Sequence, residues 1–282
     1  MAAGSELIRR NWQGRWALVT GASAGIGQAL AVELAAAGVH LVITARRGDR
    51  LEELSFRLRA AYAIQVRVIV ADLENPAAPQ DLFAEIEGQR LAIDLLVNNA
   101  GFGHYGFFHE SPIEKQLAMV QVNCTAVVHL TRLFLPAMIA RGRGDVLIVA
   151  STASFQPVPY LATYAATKGF DRFFAEALAE ENARFGIRVS ALCPGSTESE
   201  FREVSGSRER SRHKYQAAEP VARRGLEALA RGESASIPYT GGKLQTFLQR
   251  FVPRRAVSRL AERAFRPPME APAPRNGKPG RG

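Results

Sequence analysis

Short apolar runs rich in β-branched residues alternate with longer segments of helical pattern from residue 16 onward. The runs predict buried strands, and the segments between them are long enough for crossover helices. The predicted strands are Trp16–Thr20, Val39–Ala45, Val66–Ala71, Ile93–Val97, Asp145–Ala150 and Ile187–Leu192. The predicted helices are Ile26–Ala37, Asp49–Ala61, Pro76–Gln89, Ile113–Ala140 and Tyr160–Phe185. Because parallel neighbours need a crossover connection, this order predicts an α/β fold with a doubly wound parallel sheet.

The pattern changes after Pro194, where a polar and charged stretch replaces the regular alternation. A helix is predicted over Pro220–Ala230 and a short last strand within Ser234–Pro238. Lys243–Phe265 is helical in pattern again, although Pro253 must break or kink that helix. The residues after it carry five prolines and three glycines and have almost nothing to bury. We therefore predict a single folded domain over 1–240, a basic amphipathic helical extension over 241–266 and a disordered tail over 267–282.

Composition supports one large domain and shows an uneven distribution of charge. With 282 residues, 47% of them hydrophobic, the chain can bury the core of one α/β domain. Residues 1–200 hold 18 basic and 20 acidic side chains (net −2), whereas residues 201–282 hold 18 and 7 (net +11). The basic part has no nucleic-acid-binding motif and no suitably interleaved aromatic residues, so binding to nucleic acid is not expected.

Cysteines, histidines and apolar runs exclude further classes of protein. The two cysteines, Cys124 and Cys193, are too few for a disulfide framework and lie among apolar neighbours, which fits a reducing compartment. The five histidines show no metal-ligand spacing, so no metal site is expected. No run approaches about 18 uninterrupted apolar residues, and the N-terminus is too polar for a secretion signal. The expected location is cytoplasmic, with attachment at a membrane surface as the alternative.

A glycine-rich turn, TGASAGIG, joins the first predicted strand to the first predicted helix. Glycines here let the backbone turn tightly and approach a pyrophosphate, which then accepts hydrogen bonds from the free N–H groups of the helix start. The turn therefore predicts a dinucleotide site. Its candidate contacts are Gly21, Ser23, Ala24, Gly25, Ile26 and Gly27.

The ends of the next three strands carry candidates for the rest of the dinucleotide. Where an NAD-specific site places a carboxylate for the ribose 2′-hydroxyl, this chain has Arg46 and Arg47. A guanidinium at Arg46 can pair with a 2′-phosphate, which favours NADP over NAD; solvated arginines that open a surface helix are the alternative. Asp72, followed by Leu73, can accept a hydrogen bond from an adenine amino group or cap a turn. The residues expected on the opposite side of the cofactor are Asn98, Ala100 and Gly101.

Four polar side chains form a candidate catalytic set. Tyr164 and Lys168 are four residues apart in a predicted helix, so the ammonium can reach toward the phenol. A nearby ammonium favours the phenolate and should lower the phenol pKa from its usual value of about 10. Ser151, just after the fifth strand, can hydrogen-bond a substrate oxygen and stabilise charge on it. Asn123, in the preceding long helix, can hold a water that passes protons to Lys168.

The chain resembles the short-chain dehydrogenase/reductase family over about residues 14–240, on motifs that occur in this order: TGASAGIG, DL, NNAG, Asn123, Ser151, YAATK and Pro194-Gly195. The resemblance implies a Rossmann fold, with Tyr164 as general acid and base and Ser151 on the carbonyl. It also implies that Lys168 binds the nicotinamide ribose and that Asn123 completes a proton relay. The nicotinamide carboxamide end would be held by Pro194, Gly195 and Thr197.

Two further features follow from this resemblance. Ala24 stands where many NADP-dependent members have a basic residue, so the NADP preference depends mainly on Arg46. The long helices often form the subunit contact in this family, so a homo-oligomer is expected. A looser resemblance, through Phe155–Tyr160 and the basic extension, links the chain to poorly characterised reductases, some of them likened to 3-oxoacyl reductases and hydroxysteroid dehydrogenases.

The expected substrate is a small molecule with an apolar carbonyl or alcohol, such as a fatty acyl, steroid-like or aromatic ketone, because the loops after the strands are unusually aromatic. The aromatic candidates, of which about half are expected in the core, are Phe102, His104, Tyr105, Phe107, Phe108, Phe155, Tyr160 and Phe201. The extension combines an apolar stripe with Arg250, Arg254, Arg255, Arg259 and Arg263. We favour a helix that covers the domain with its arginines in water. Contact with an anionic membrane or with an acidic carrier protein is the alternative.

The sequence thus predicts an NADP-dependent oxidoreductase that transfers a hydride between nicotinamide and a ketone or secondary alcohol. The alternative is a catalytically silent NADP-binding sensor or scaffold on the same fold. Such proteins tend to lose the tyrosine or the lysine of the catalytic pair, and Tyr164 and Lys168 are both present.

Overall fold

The computed structural model describes residues 2–198, 200–201, 205–206 and 216–267. Within them, parallel strands form one sheet in the order β3-β2-β1-β4-β5-β6-β7. The strands are β1 Trp16–Thr20, β2 His40–Ala45, β3 Val66–Val70, β4 Ile93–Asn98, β5 Gly144–Val149, β6 Ile187–Leu192 and β7 Ala235–Ser236. The chain changes direction along the sheet between β1 and β4, and ligands bind beyond the carboxyl ends of the strands at such a point. This confirms the predicted doubly wound α/β fold.

Helices cover both faces of the sheet. They are α1 Ala2–Trp12, α2 Gly25–Ala36, α3 Gly48–Ala61, α4 Ala78–Gly88, α5 Ile113–Val120, α6 Ala126–Ala140, α7 Ala162–Asn182, α8 Ala218–Ala230, α9 Thr240–Leu248 and α10 Arg254–Phe265. One buried apolar cluster joins the sheet to α1, α2, α3 and α8, and a second joins it to α4, α6 and α7. The sheet is therefore buried on both faces, as the continuous apolar runs of its strands require.

The N-terminal helix α1 was not predicted from the hydrophobic pattern, because within residues 4–12, whose burial the structure describes, only Ile8 and Trp12 are buried. Trp12 is fully buried, and its indole Nε1 donates a hydrogen bond of 2.7 Å to Asp145 at the start of β5. Arg188 of β6 donates to both oxygens of the same carboxylate, at 2.6 and 2.9 Å. The helix is thus tied to the sheet by a buried polar network as well as by apolar packing.

The predicted long helix Ile113–Ala140 is interrupted by a π-helical turn, Gln121–Thr125, between α5 and α6. By length and composition alone this segment could cross a membrane, but 44% of its most apolar window is buried inside the structure. Its α6 part packs against α4 and against strands β4 and β5. The place of α6 against the sheet therefore accounts for the buried apolar side chains of the segment, whereas Ile113, Leu117, Val120 and Val128 are exposed.

The C-terminal extension forms two helices instead of one kinked helix. A 3₁₀ turn, Gln249–Phe251, follows α9, and Pro253 immediately precedes α10, where a proline lacking an N–H is tolerated. Apart from Pro267, the predicted tail 267–282 lies outside the described residues.

Candidate active site

One cleft of about 1540 Å³ at the carboxyl ends of the strands collects most of the predicted site residues. The predicted residues that line it are Gly21, Ser23, Ala24, Gly25, Ile26, Gly27, Arg46, Asp72, Leu73, Ala100, Gly101, Ser151, Tyr164, Lys168, Pro194, Gly195 and Thr197. Asn98 and Asn123 do not line it. The cleft therefore joins the candidate dinucleotide residues and the candidate catalytic residues in one site.

The glycine turn has a shape that only glycine permits at its key positions. Gly21 and Gly25 have φ values of +66° and +55°, in the left-handed region that disfavours side chains. A Cβ on Gly27 would lie 2.3 Å from the carbonyl oxygen of Gly21. Helix α2 begins at Gly25, so its free N–H groups lie beside the cleft. This cradle fits the pyrophosphate of a dinucleotide.

Asn98 does not line the cleft, contrary to the expectation from the sequence. Its side chain is buried against α6, where Nδ2 donates a 3.0 Å hydrogen bond to Thr131. The next residue, Asn99, lines the cleft instead and donates to the carbonyl oxygens of Thr20 and Gly21 at 2.9 and 3.3 Å. Successive side chains at a strand end point to opposite sides, so an error of one residue moves the predicted contact out of the site.

Both arginines after β2 line the cleft, but they are held differently. Arg46 forms a 2.7 Å ion pair with Glu74, and both side chains are exposed. Arg47 donates to Ser23 of the glycine turn at 3.1 Å and pairs with Glu200 at 2.7 Å. Arg47 therefore brings positive charge over a turn in which Ala24 supplies none.

Asp72 caps a turn, which is one of the two roles that the sequence left open, and its contact with adenine stays a prediction. Its Oδ1 accepts a 3.0 Å hydrogen bond from the backbone N–H of Glu74, so it caps the turn after β3. It also lines the cleft together with Leu73. Capping holds the carboxylate in place without removing it from the site.

Ser151, Tyr164 and Lys168 meet beyond the end of β5. Ser151 follows that strand, and its hydroxyl accepts a 3.1 Å hydrogen bond from the N–H of Ala153. Tyr164 and Lys168 come from one face of α7 at the cleft wall, where Lys168 is buried and Tyr164 is partly buried. The Lys168 ammonium donates to the carbonyl oxygen of Val149 at 2.7 Å and to Asp171 at 2.9 Å. The phenol of Tyr164, the hydroxyl of Ser151 and the ammonium of Lys168 thus face the same space.

In the protein without cofactor, burial raises the pKa of Tyr164 above its ordinary value. The Lys168 ammonium acts in the predicted direction, and together with a hydrogen bond with Ser151 it lowers this pKa in part. Burial also acts to lower the pKa of Lys168, but the Asp171 carboxylate and the Tyr164 phenol together outweigh it, and the net pKa of Lys168 is raised. The protein alone therefore holds a neutral phenol beside a charged lysine.

Asn123 lies in the π-helical turn and anchors the loop after β4. Its Oδ1 accepts from the N–H of Phe102 at 3.1 Å, and its Nδ2 donates to the carbonyl oxygen of Phe102 and to the hydroxyl of Thr167, both at 3.0 Å. Both hydrogens of the amide are used in these contacts. A proton relay through Asn123 stays a prediction. The Nδ2 group has no further hydrogen to donate to a relay water.

The substrate end of the cleft is more aliphatic than the sequence predicted. Of the eight aromatic candidates, Phe102 and Phe201 line the cleft, and the Phe201 ring lies 4.9 Å from the ring of Tyr164. Tyr105 and Tyr160 instead hold α10: their hydroxyls donate to the carbonyl oxygen of Phe265 and to Glu262, each at 2.7 Å. The remaining candidates, His104, Phe107, Phe108 and Phe155, do not line it.

The C-terminal extension supplies much of this wall, which the sequence did not reveal. Six of its lining side chains are Leu244, Leu248, Val252, Val257, Leu260 and Ala261. The apolar stripe was visible in the sequence, but the direction in which it faces depends on tertiary packing. These contacts support the interpretation that the extension covers the domain. Contact with a membrane or a carrier protein, and the cytoplasmic location, stay predictions.

Comparison with known proteins gives one consistent family. Residues 15–210 match the family of short chain dehydrogenases. Very-long-chain 3-oxoacyl-CoA reductase-B of Danio rerio is 36% identical over 195 residues, which are 67% of this chain and 61% of the relative. Very-long-chain 3-oxoacyl-CoA reductase of Homo sapiens is 34% identical over 190 residues, 64% of this chain and 59% of the relative. The chain thus spans about three-fifths of the length of these curated relatives.

Solved structures of similar fold include proteins bound to NADPH. A short-chain dehydrogenase from Sphingobium yanoikuyae in complex with NADPH has a TM-score of 0.77 and 27% identity, covering 92% of this chain and 99% of that chain. L-sorbose reductase from Gluconobacter frateurii, complexed with NADPH and L-sorbose, has a TM-score of 0.72 and 27% identity, covering 80% and 95%. The glycine cradle, the Ser151, Tyr164 and Lys168 cluster and the match over residues 15–210 agree: the chain belongs to the short-chain dehydrogenase family.

Proposed function

We propose that this protein is an NADP-dependent oxidoreductase that reduces an apolar ketone to a secondary alcohol by hydride transfer. The observation that carries the proposal is the single cleft in which a glycine cradle and the cluster of Ser151, Tyr164 and Lys168 lie together. A silent sensor would need the cradle alone. The presence of all three polar groups at one wall of the cleft, with Lys168 buried and held by two hydrogen bonds, favours catalysis over sensing.

The three side chains divide the work on a bound carbonyl. Bound NADPH supplies the hydride. Tyr164, protonated at neutral pH, donates its phenolic proton to the carbonyl oxygen. Ser151 donates a hydrogen bond to the same oxygen and stabilises the negative charge that develops there. Lys168 keeps positive charge beside the phenol and has donors for the hydroxyls of the nicotinamide ribose.

The preference for NADP over NAD rests on the residues after β2. No carboxylate stands at the end of that strand, whereas Arg46 and Arg47 both line the cleft. Arg47 is within hydrogen-bonding distance of the glycine turn, at Ser23. Two guanidinium groups at this edge can neutralise the charge of a 2′-phosphate. An uncharged ribose hydroxyl, as in NAD, forms much weaker interactions with them.

The proposed substrate class is a ketone on a long apolar chain, such as a 3-oxoacyl thioester. The aliphatic wall from the extension gives the cleft room and lining for such a chain. The curated relatives carry the name very-long-chain 3-oxoacyl-CoA reductase, which agrees with that chemistry. A compact sugar such as L-sorbose, the ligand of one structural relative, would leave this wall without apolar contacts.

The proposed assembly is a homo-oligomer formed through α5, α6 and α7. These helices expose an unusual number of large apolar side chains: Ile113, Leu117, Val120, Val128, Phe170 and Phe173. Leu117 is 63% exposed and Phe173 is 61% exposed. Helices α5 and α7 pack against each other, and exposed apolar side chains on neighbouring helices are typical of a protein contact.

A panel of ketones with NADPH oxidation as the readout tests the catalytic proposal. We expect turnover of 3-oxoacyl thioesters and long-chain ketones, and a loss of at least about a thousandfold in the Tyr164→Phe variant, because the proton donor is gone. NADPH binding to that variant, followed by fluorescence, should stay within a few-fold of the unmodified chain. Full binding of NADPH with no turnover of any ketone in the panel would favour the silent sensor, and turnover by Tyr164→Phe would exclude the proposed acid.

A further inference from the structure

Lys168 is held by a buried carboxylate that belongs to none of the sequence motifs. Asp171 lies one turn further along α7, is 1% exposed, and accepts a 2.9 Å hydrogen bond from the Lys168 ammonium. The ammonium also donates to the carbonyl oxygen of Val149, at 2.7 Å. An ammonium has three donors, so these two contacts fix its position and leave one donor for the cleft.

A contribution to stability does not by itself explain the ion pair between Lys168 and Asp171. The second oxygen of Asp171, Oδ1, has no hydrogen-bond partner among the described residues, although it is buried. A buried acceptor without a partner costs about 1–3 kcal/mol, and a buried ion pair is often no more stable than apolar residues of the same volume. Stability alone therefore does not account for a carboxylate at this position.

We propose that Asp171 is a positioning residue which holds Lys168 against the end of β5 and balances its charge beside Tyr164. This inference rests on the proposed function and adds a positioning residue to its site. Asp171 acts through Lys168 and does not line the cleft itself.

The charge balance follows from the ion pair itself. A lone Lys168 ammonium beside the phenol stabilises the phenolate of Tyr164. The Asp171 carboxylate, 2.9 Å from that ammonium, offsets part of its positive charge and so opposes this effect. Loss of the carboxylate should therefore lower the pKa of Tyr164.

The other titratable groups that face this pair are neutral near pH 7. Cys124 comes from the π-helical turn and Cys193 follows β6; burial raises the pKa of each thiol to about 12. Within the described part of the chain, the charge beside Tyr164 is thus set by Lys168 and Asp171.

Ionisation of Tyr164 in the full-length protein without cofactor or substrate tests the inference directly. Tyrosinate formation is followed by ultraviolet absorbance during a pH titration, and the same titration of the Tyr164→Phe variant is subtracted to isolate Tyr164. In Asp171→Asn, which keeps the shape but removes the charge, the Tyr164 midpoint should fall by about one pH unit. The matched control is Glu181→Gln, which removes an exposed carboxylate from the far end of α7 and should leave the midpoint unchanged.

A second variant separates charge balance from positioning. Asp171→Val has a similar volume and loses both the charge and the hydrogen bond, so it should lower the midpoint equally and also weaken NADPH binding several-fold, because Lys168 is no longer held. Asp171→Asn should leave NADPH binding within about twofold. In the steady state, the pH at which reduction declines should fall together with the midpoint in both variants.

Two results would overturn the inference. A Tyr164 midpoint that stays in place or rises in both Asp171 variants would show that the carboxylate does not balance Lys168. NADPH affinity that is equal in Asp171→Val and in the unmodified chain would show that it does not position Lys168. The titration needs no substrate, so its outcome stands even if the ketone panel reveals no turnover.

Discussion

Arg47 and Arg46 illustrate how much of a site's behaviour is decided at single residues. Both line the cleft, but Arg46 already has Glu74 as a partner, while Arg47 spans from Ser23 to Glu200. A bound 2′-phosphate would compete with these carboxylates for the guanidinium groups. The sequence alone favoured Arg46, because its position after the strand is known and its neighbours in space are not.

Cofactor preference should follow these two arginines. Arg46→Asp and Arg47→Asp should each weaken NADPH binding by at least about tenfold, since a charge-assisted contact is lost and a repulsive charge is added. NADH binding should change far less, which isothermal titration of both nucleotides can measure. Arg59→Asp, on the exposed face of α3 away from the cleft, is the matched control. Equal losses for NADPH and NADH would show that neither arginine contacts the 2′-phosphate.

Residue spacing predicted the polar cluster well but not what surrounds it. Tyr164 and Lys168 follow from an interval of four in a helix, and Ser151 follows from its place after a strand. Asp171 also has helical spacing from Lys168, yet its role depends on burial, which one sequence does not specify. The prediction that Asn98 lines the cleft was wrong by one residue, because it depended on which side chain at the end of β4 faces the cleft.

The secondary structure elements were more predictable than the surfaces they cover. Alternation of apolar runs and helical segments gave the order of β1 to β7 and placed most bounds within two residues. Helix α1 was not predicted because, within residues 4–12, only Ile8 and Trp12 are buried. The π-helical turn was not predicted because it does not change the hydrophobic pattern. The extension was predicted as helical, but its place over the cleft was not.

Helix α10 should control access of large substrates. Tyr160→Phe removes the hydrogen bond to Glu262 and Tyr105→Phe removes the one to Phe265, so the helix should be held less closely over the cleft. We expect KM for a long-chain ketone to rise several-fold, while KM for a small ketone stays the same. Tyr62→Phe, at the far end of α3, provides the control. An equal rise for both ketones would indicate a general loss of structure in place of a loosened cover.

At the scale of the whole molecule, large exposed apolar side chains occur in two places. One set lies on α5, α6 and α7. The other lies on the extension, within the basic last third of the sequence: Leu244, Phe247, Leu248, Phe251, Val252 and Leu260. The set on α5, α6 and α7 lies outside the basic last third, and it is the one that fits another copy of the chain.

Sedimentation of the full-length protein should therefore show an oligomer. Leu117→Glu and Phe173→Glu each place a charge in the proposed contact and should shift the population toward monomer. Phe56→Glu is the control, since Phe56 is 70% exposed on α3, outside the proposed contact. A monomeric unmodified chain at micromolar concentration would contradict the proposed assembly.

The hydrogen-bonded pair of Trp12 and Asp145 shows that the folded unit and the region of family similarity begin at different residues. Similarity to the family begins at residue 15, yet the folded unit already includes α1. A shortened chain that starts where the similarity starts would lose the indole that donates to Asp145, and emptying such a site typically costs about 3–5 kcal/mol. Domain swaps or chimaeras between this protein and its relatives should accordingly take their N-terminal junction before α1.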